Sequence, residues 1–297
     1  MLSGNTLEDS MRHLFLAVLL GVLFSYKAYT QCSDAGACAI GGHEAEANEH
    51  RPLCIGISST HGSSGKTDDL RYNSIIADVT WRVDEHGMFM LRLPWTRSSG
   101  PLGDAQGLGD VLVIAERTVW STPTLEFRAQ VGGKFATGVS NANDLPQAYQ
   151  PGLGSNDVLL GISASMDEWN MSIGYQHPFG RSDNAITRLK RGSDVVMRAG
   201  YSADIDAVGV SGELLAVKRL GESSVLVLPS GESEQFTDVP GSDQFQLNVL
   251  LTATYTVSAD VSLGVQAAAP LLAREVNVDG LTRSFTVGIG LAYSPDL

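Results

Sequence analysis

The chain has 297 residues, 43% hydrophobic and 18% charged, with 32 glycines and a formal net charge of −13. No apolar run reaches the roughly 18 residues of a membrane-spanning helix, which excludes a helical membrane protein. The acidic balance argues against nucleic acid as a partner, since that partner calls for a basic face.

Residues 1–31 read as a secretory signal peptide. An apolar run at 14–25 follows Met11-Arg12-His13, and Glu8 and Asp9 ahead of it suggest Met11 as the true start. Residues 32–52 are small, polar and acidic and are expected to form a flexible periplasmic lead-in without a core. Cys32, Cys38 and Cys54 are the only cysteines. Export permits a small Cys32–Cys38 loop with Cys54 left over. Their spacing to His43 and His50 does not fit zinc, and no metal or cofactor is expected.

From residue 53 the chain reads as strands, because apolar and polar residues alternate with a period of two. Twelve are expected, at about 54–60, 71–83, 88–97, 110–120, 125–137, 157–166, 169–179, 193–202, 206–219, 243–258, 261–270 and 284–297. A Gly-rich loop is expected at 98–109, and local pairing near 225–228. The strand at 243–258 alternates cleanly: Phe245, Leu247, Val249, Leu251, Ala253, Tyr255 and Val257 oppose Gln244, Gln246, Asn248, Leu250, Thr252, Thr254 and Thr256. In the last strand Phe285, Val287, Ile289, Leu291 and Tyr293 oppose Ser284, Thr286, Gly288, Gly290 and Ala292.

The connections sort by length. Short turns are expected at 84–87, 121–124, 167–168, 203–205 and 259–260, with long loops between them. An even strand number, short periplasmic turns and long external loops describe an outer-membrane β-barrel. With both termini in the periplasm, Trp81, Phe89, Trp120, Trp169, Tyr201, Tyr255 and Tyr293 fall at periplasmic strand ends. Trp95, Phe135, Phe179, Phe245 and Phe285 fall at external ends, as aromatic girdles do. The fold class expected is therefore an all-β antiparallel transmembrane barrel over 53–297 in the outer membrane of a Gram-negative bacterium, with membrane lipid as its partner. A soluble, secreted β-protein with a binding role is the alternative that alternation alone does not separate.

Four segments carry a resemblance. They are Gly107-Leu-Gly109-Asp110-Val, Gly133-Lys-Phe-Ala-Thr-Gly138, Gln150-Pro-Gly152-Leu-Gly154-Ser155 leading into Asp157, and Gly161 in the strand that follows. In order and spacing the chain resembles the meta-pathway phenol-degradation family of outer-membrane proteins over about 70–297. Ala136 stands where that family often has proline, and the chain ends in Leu297 rather than an aromatic residue. The resemblance implies uptake of small molecules, apolar or aromatic, without naming one. Its glycines are assigned turns and close backbone approach, a structural role.

Chemistry is sparse. The stretch 62–67 imitates a phosphate loop, but Thr60 stands where glycine is needed and a strand follows. A lipid-cleaving barrel would need an outward His–Ser pair; His177 faces outward beside Tyr175 and Phe179, with no serine placed for it on that strand. No catalytic residue is assigned and no enzyme activity is expected. The charges on the non-lipid parity are Asp78, Arg82, Arg92, Glu116, Glu126, Arg128, Lys134, Arg198 and Glu213. Facing lipid at mid-depth, Arg or Lys would cost about 2–4 kcal/mol each, so these residues are expected to line a polar lumen of mixed sign. Such a lumen serves either as a narrow channel for small solutes or as a core knitted shut by ion pairs.

Overall fold

The computed structural model describes Ala39 and residues 51–65, 68–227 and 234–296. The expected signal peptide, the lead-in apart from Ala39 and 51–52, the Cys32–Cys38 loop and Leu297 lie outside the described residues. Cys54 is free.

Fifteen strands form among the described residues. Twelve close a ring: β1 (Leu53–Ser63), β2 (Arg71–Asp84), β3 (Gly87–Gly100), β5 (Val111–Ser121), β6 (Glu126–Phe135), β7 (Asn156–Met166), β8 (Trp169–Phe179), β9 (Asp194–Ile205), β10 (Val208–Arg219), β13 (Phe245–Thr256), β14 (Val261–Leu272) and β15 (Phe285–Tyr293). All neighbours are antiparallel, and the ring shuts where β1 meets β15, with Ile57 opposite Leu291. The remaining strands are β4 (Gly103–Leu108) and an outer hairpin, β11 (Ser224–Val227) with β12 (Gln235–Asp238).

The pleat sends successive side chains to opposite faces, and here the apolar set faces out. Ile57, Ile173 and Ile289 are 53–59% exposed, whereas their polar neighbours on the other parity, such as Ser163, Gln176 and Asn248, are buried. A soluble sandwich would bury the apolar set instead, so the secreted soluble alternative does not hold. Paired rings mark the short-turn end: Trp81–Phe89, Trp120–Phe127 and Trp169–Tyr201, with centroids 5.1–6.5 Å apart.

Several details depart from expectation. The 98–109 stretch is no loop: β3 runs on to Gly100 and turns back as β4. β3 pairs with β5 only as far as Arg92 and with β4 from Trp95 onward. Pro94 sits at this change of partner, where its missing N–H costs nothing, and its carbonyl accepts from the Gly109 amide at 2.8 Å. β9 runs through the expected 203–205 turn; the reversal falls at 206–207, where Asp206 has φ +55°. A bulge between Thr118 and Trp120 breaks the parity of β5 and leaves both Val119 and Trp120 exposed.

The interior is not wholly polar, a correction to the expected lumen. Leu112, Ile114 and Leu159 form one buried cluster with Met90 beside it, and Ala39 packs into that cluster. Val196, Leu215 and Val217 form another, against Leu250. These residues share a parity with the inward charges and pack along the wall between neighbouring strands: Val196 faces Val217 in register, and Ile114 and Leu159 flank Gly132.

We predict that Ile173→Arg, on the outer face near the middle of β8, lowers stability by about 2–4 kcal/mol. Urea unfolding in lipid vesicles measures this.

Candidate transport lumen

Three tiers of inward side chains are stacked along the barrel. At the short-turn end a cavity of about 600 Å³ is lined by Arg82, Asp84, Glu116, Glu126 and Arg128, among others. Arg128 Nε donates to Glu126 at 2.5 Å, and its Nη1 lies 3.6 Å from Glu116. Glu116 also accepts from Gln130, across the β5–β6 pair. Strand alternation alone sets these neighbours, since Glu116 stands directly opposite Gln130.

The middle tier is a chamber of about 250 Å³. One wall is made of small residues from β1, β14 and β15: Gly56, Ser58, Gly264, Ala268, Gly290 and Ala292. The other carries Ile76, Met90 and Leu250, with two ion pairs, Arg92–Asp78 at 2.7 Å and Arg198–Glu213 at 2.6 Å. Arg92 and Asp78 face each other in register, and Arg198 lies diagonally from Glu213, which opposes Gly200. A Cβ on Gly264 would meet nothing within 4 Å, so the chamber is open beside it.

The third tier, at the long-loop end, is a buried ion network. Lys134 lies 3.3 Å from Asp110 and 3.2 Å from Asp157, and Arg191 reaches Asp157 at 2.8 Å. Arg219 bridges Asp194 at 3.1 Å and Asp279 at 2.8 Å, with Arg274 3.7 Å from Asp194. These eight side chains hold four positive and four negative charges, so the tier is neutral. Removing such charges from water is costly, and the cost is offset only where each meets a partner.

This network holds the long loops over the barrel end. Asp110 accepts from the amides of Gly138 at 3.1 Å and Leu153 at 2.8 Å, and Ser155 donates to Asp157 at 2.8 Å. A Cβ on Gly138 would lie 2.6 Å from the Gly109 carbonyl carbon, and one on Gly152 would lie 2.8 Å from Asp110 Oδ1. The segments around 109, 138 and 152 thus meet in one knot. Gly107 lies beside Val139, Gly154 closes on Ser140 and Ser182, and Gly133 lies within β6. Buried Asn184 Nδ2 donates to the Ser140 and Leu145 carbonyls at 2.9 Å, tying loop 180–193 to loop 136–155. Arg283 stacks 3.4 Å over Tyr72, docking loop 273–284 on the wall.

Of the nine charges anticipated from parity, Asp78, Arg92, Arg198 and Glu213 lie at the middle chamber, Arg82, Glu116, Glu126 and Arg128 at the short-turn cavity, and Lys134 in the buried network. Sequence reasoning missed Asp194, Arg219, Arg274 and Asp279. Asp194 shares the inward parity of Arg198, and Arg219 that of Glu213, so two of the four carried a signal at strand ends. Sequence reasoning also missed Ser193, on the strand next to His177. The His177 Nδ1 to Ser193 Oγ distance is 2.8 Å, and Tyr175 donates to Ser193 at 3.1 Å. The His177 ring meets Phe179 edge-on at 4.8 Å. No carboxylate orients this ring among the described residues, and the group belongs with the aromatic girdle. Among the described residues no set of three or more His, Cys, Asp or Glu side chains could hold a metal ion.

No protein-family model matches the chain, and no curated protein matches it. Solved structures do. An outer-membrane channel from Pseudomonas putida F1 aligns with a TM-score of 0.58 at 17% identity, covering 82% of this chain and 95% of that one. The NanC porin aligns at 0.49 with 10% identity, covering 82% and 100% of the two chains. The KdgM porin aligns at 0.45 with 9% identity, covering 81% and 99%. At this identity the first likeness shows the fold, a closed barrel of the outer-membrane type.

Asp279, in loop 273–284, is fully buried. Burial pushes its pKa up, but Arg219, Arg274 and Arg191 outweigh that and hold the carboxyl well below the usual carboxylate range. A depressed folded pKa contributes stability above the unfolded value near 3.9, and that stability is lost as pH falls through the folded value. The Arg219–Asp279 link is therefore expected to survive from neutral pH to below about pH 3.9. Asp279→Ala leaves Arg219 with an uncompensated buried charge and is expected to cost about 3–5 kcal/mol. The temperature at which the folded band converts on SDS gels, measured from pH 7 to pH 4, checks both statements.

Proposed function

We propose that this chain is a channel in the outer membrane of a Gram-negative bacterium, passing small apolar or aromatic molecules toward the periplasm. The observation that carries the reading is the open middle chamber with its wall of Gly56, Gly264 and Gly290. A barrel that served only as scaffold would have no reason to leave glycine where Gly264 has free space. The short turns then face the periplasm and the long loops face outward.

Electrostatics supports uncharged cargo. Asp78 with Arg92 and Arg198 with Glu213 cancel beside the chamber, so it presents little net field to an ion. Met90, Leu250 and Ile76 give an apolar body something to rest on, while the ion pairs and Thr252 offer polar contacts. The motif resemblance to the phenol-degradation family agrees with this class. The girdle setting of His177 and Ser193, with no orienting carboxylate among the described residues, supports a non-enzymatic role.

A second reading, a barrel closed for structure alone, draws on the buried apolar clusters and the ion-paired cap. The two readings part in a planar bilayer. A channel gives small, weakly ion-selective conductance, and Gly264→Phe, which fills the chamber without displacing backbone, cuts that conductance at least twofold while the folded band on SDS gels is kept. Zero conductance from folded wild-type protein would favour the closed barrel.

A further inference from the structure

Most inner charges of this barrel meet partners, and one stretch of its outer face departs from that pattern. Arg71 is exposed on the outward parity of β2, and no side-chain ion pair or hydrogen bond ties it to another described residue. Arg97 of β3 shares that face. Arg71 opposes Ser99 and Asn73 opposes Arg97, so the two arginines are diagonal neighbours, roughly 7–8 Å apart at the backbone. Two exposed acids stand close: Asp104 of β4 lies 3.7 Å from Arg97 with both side chains more than half exposed, and Asp69 precedes Arg71 by two residues. A pair so exposed holds its partner weakly. The chain as a whole carries 33 acidic and 20 basic residues, so two adjacent outward arginines run against its balance.

Their height matters as much as their charge. Toward the barrel middle on the same face stand Ile75 and Trp95, paired in register and exposed, roughly 7 Å from Arg97 and roughly 13 Å from Arg71 along the strands. Aromatic and aliphatic side chains there meet the ends of acyl chains, so the guanidinium groups stand at headgroup level on the long-loop side. Asn73, exposed in the same row, adds an amide. Guanidinium groups match phosphate in shape and charge and hold it through paired N–H donors.

We propose that Arg71 and Arg97 form a docking site for the phosphates of a lipid in the outer leaflet, namely the diphosphorylated glycolipid anchor of lipopolysaccharide, with its acyl chains against Ile75 and Trp95. This rests on the outer-membrane placement proposed above and is independent of whether the lumen conducts. Conductance and membrane fractionation test that placement and function separately.

The test uses the refolded full chain in detergent, with lipid binding read by native mass spectrometry. Wild type is expected to retain diphosphorylated lipid A, and to bind its dephosphorylated form and phosphatidylglycerol at least tenfold more weakly. Arg71→Ala with Arg97→Ala is expected to weaken retention of lipid A roughly thirtyfold, about fivefold for each cation at a lipid surface. Lys218→Ala, which removes a cation from another outward site, should bind as wild type does. Equal binding of the dephosphorylated lipid, or a double variant within twofold of wild type, would overturn the site. Phosphatidylglycerol bound as tightly as lipid A would overturn the assignment to lipopolysaccharide. If the double variant does not fold, the three lipids compared on wild type still decide.

Discussion

Closure is the constraint on which this structure depends. Lipid offers no hydrogen-bond partner to backbone N–H and C=O groups, so a spanning sheet must have no free edge. The β1–β15 ladder supplies that, with nine residue pairs from Ile55↔Tyr293 to Ser63↔Phe285. Once the edge is gone, the period-two pattern becomes a sorting rule: one parity dissolves in lipid and the other is enclosed. Arg51 reinforces the seam at the short-turn end, reaching Asp260 at 3.0 Å and Asp296 at 2.5 Å.

Enclosure has consequences for charge. Ions on the inner parity sit away from bulk water and next to one another. Neutral pairs result at the middle level, Arg92 with Asp78 and Arg198 with Glu213, and the eight-residue network above them is neutral too, while Arg128 below them faces both Glu116 and Glu126. Most of the net charge of −13 therefore resides outside these tiers. Small residues do the opposite work. Where β14, β15 and β1 turn glycine and alanine inward, space is left that no partner fills. The lumen is thus polar and paired on one side, and small and open on the other.

Much of the fold was legible because it is written in local pattern. Strand positions, the alternation of short and long connections and the outward aromatics all follow from residues near one another in sequence. What was not legible is set by distance or by change of partner. The β3–β4 hairpin hides in a Gly-rich stretch, since the reason β3 leaves β5 is that β5 starts only at Val111. Arg219 and Asp279 lie 60 residues apart, and no local pattern brings them together. Leu112, Ile114 and Leu215 break the rule that the inner parity is polar, because apolar neighbours on adjacent strands cover them. Ser193 escaped notice because its partner His177 is on another strand, where register rather than spacing decides contact.

The cap at the long-loop end ties these points together. Its glycine-rich turns would be unremarkable singly, yet Gly138 and Gly152 let two loops approach Asp110 closely enough for its carboxylate to take both amides. That places Asp110 beside Lys134, Lys134 beside Asp157, and Asp157 beside Arg191, so one carboxylate organises loops from three parts of the chain. A closed cap of this kind is stable only while every ion in it has a partner. Opening it is affordable only where water enters as the partners separate, since a buried charge left dry costs several kcal/mol. Loop 273–284 meets that condition better than the Asp110 knot does. Its Glu275 end is exposed, and it is held on the barrel by Arg219–Asp279, by Arg274 near Asp194, by Asn277 on Asp68, by Gln244 on the Glu275 and Val276 amides, and by the stacking of Arg283 over Tyr72. The knot around Asp110 is bonded to backbone as well as to side chains, and its geometry leaves no room for a Cβ.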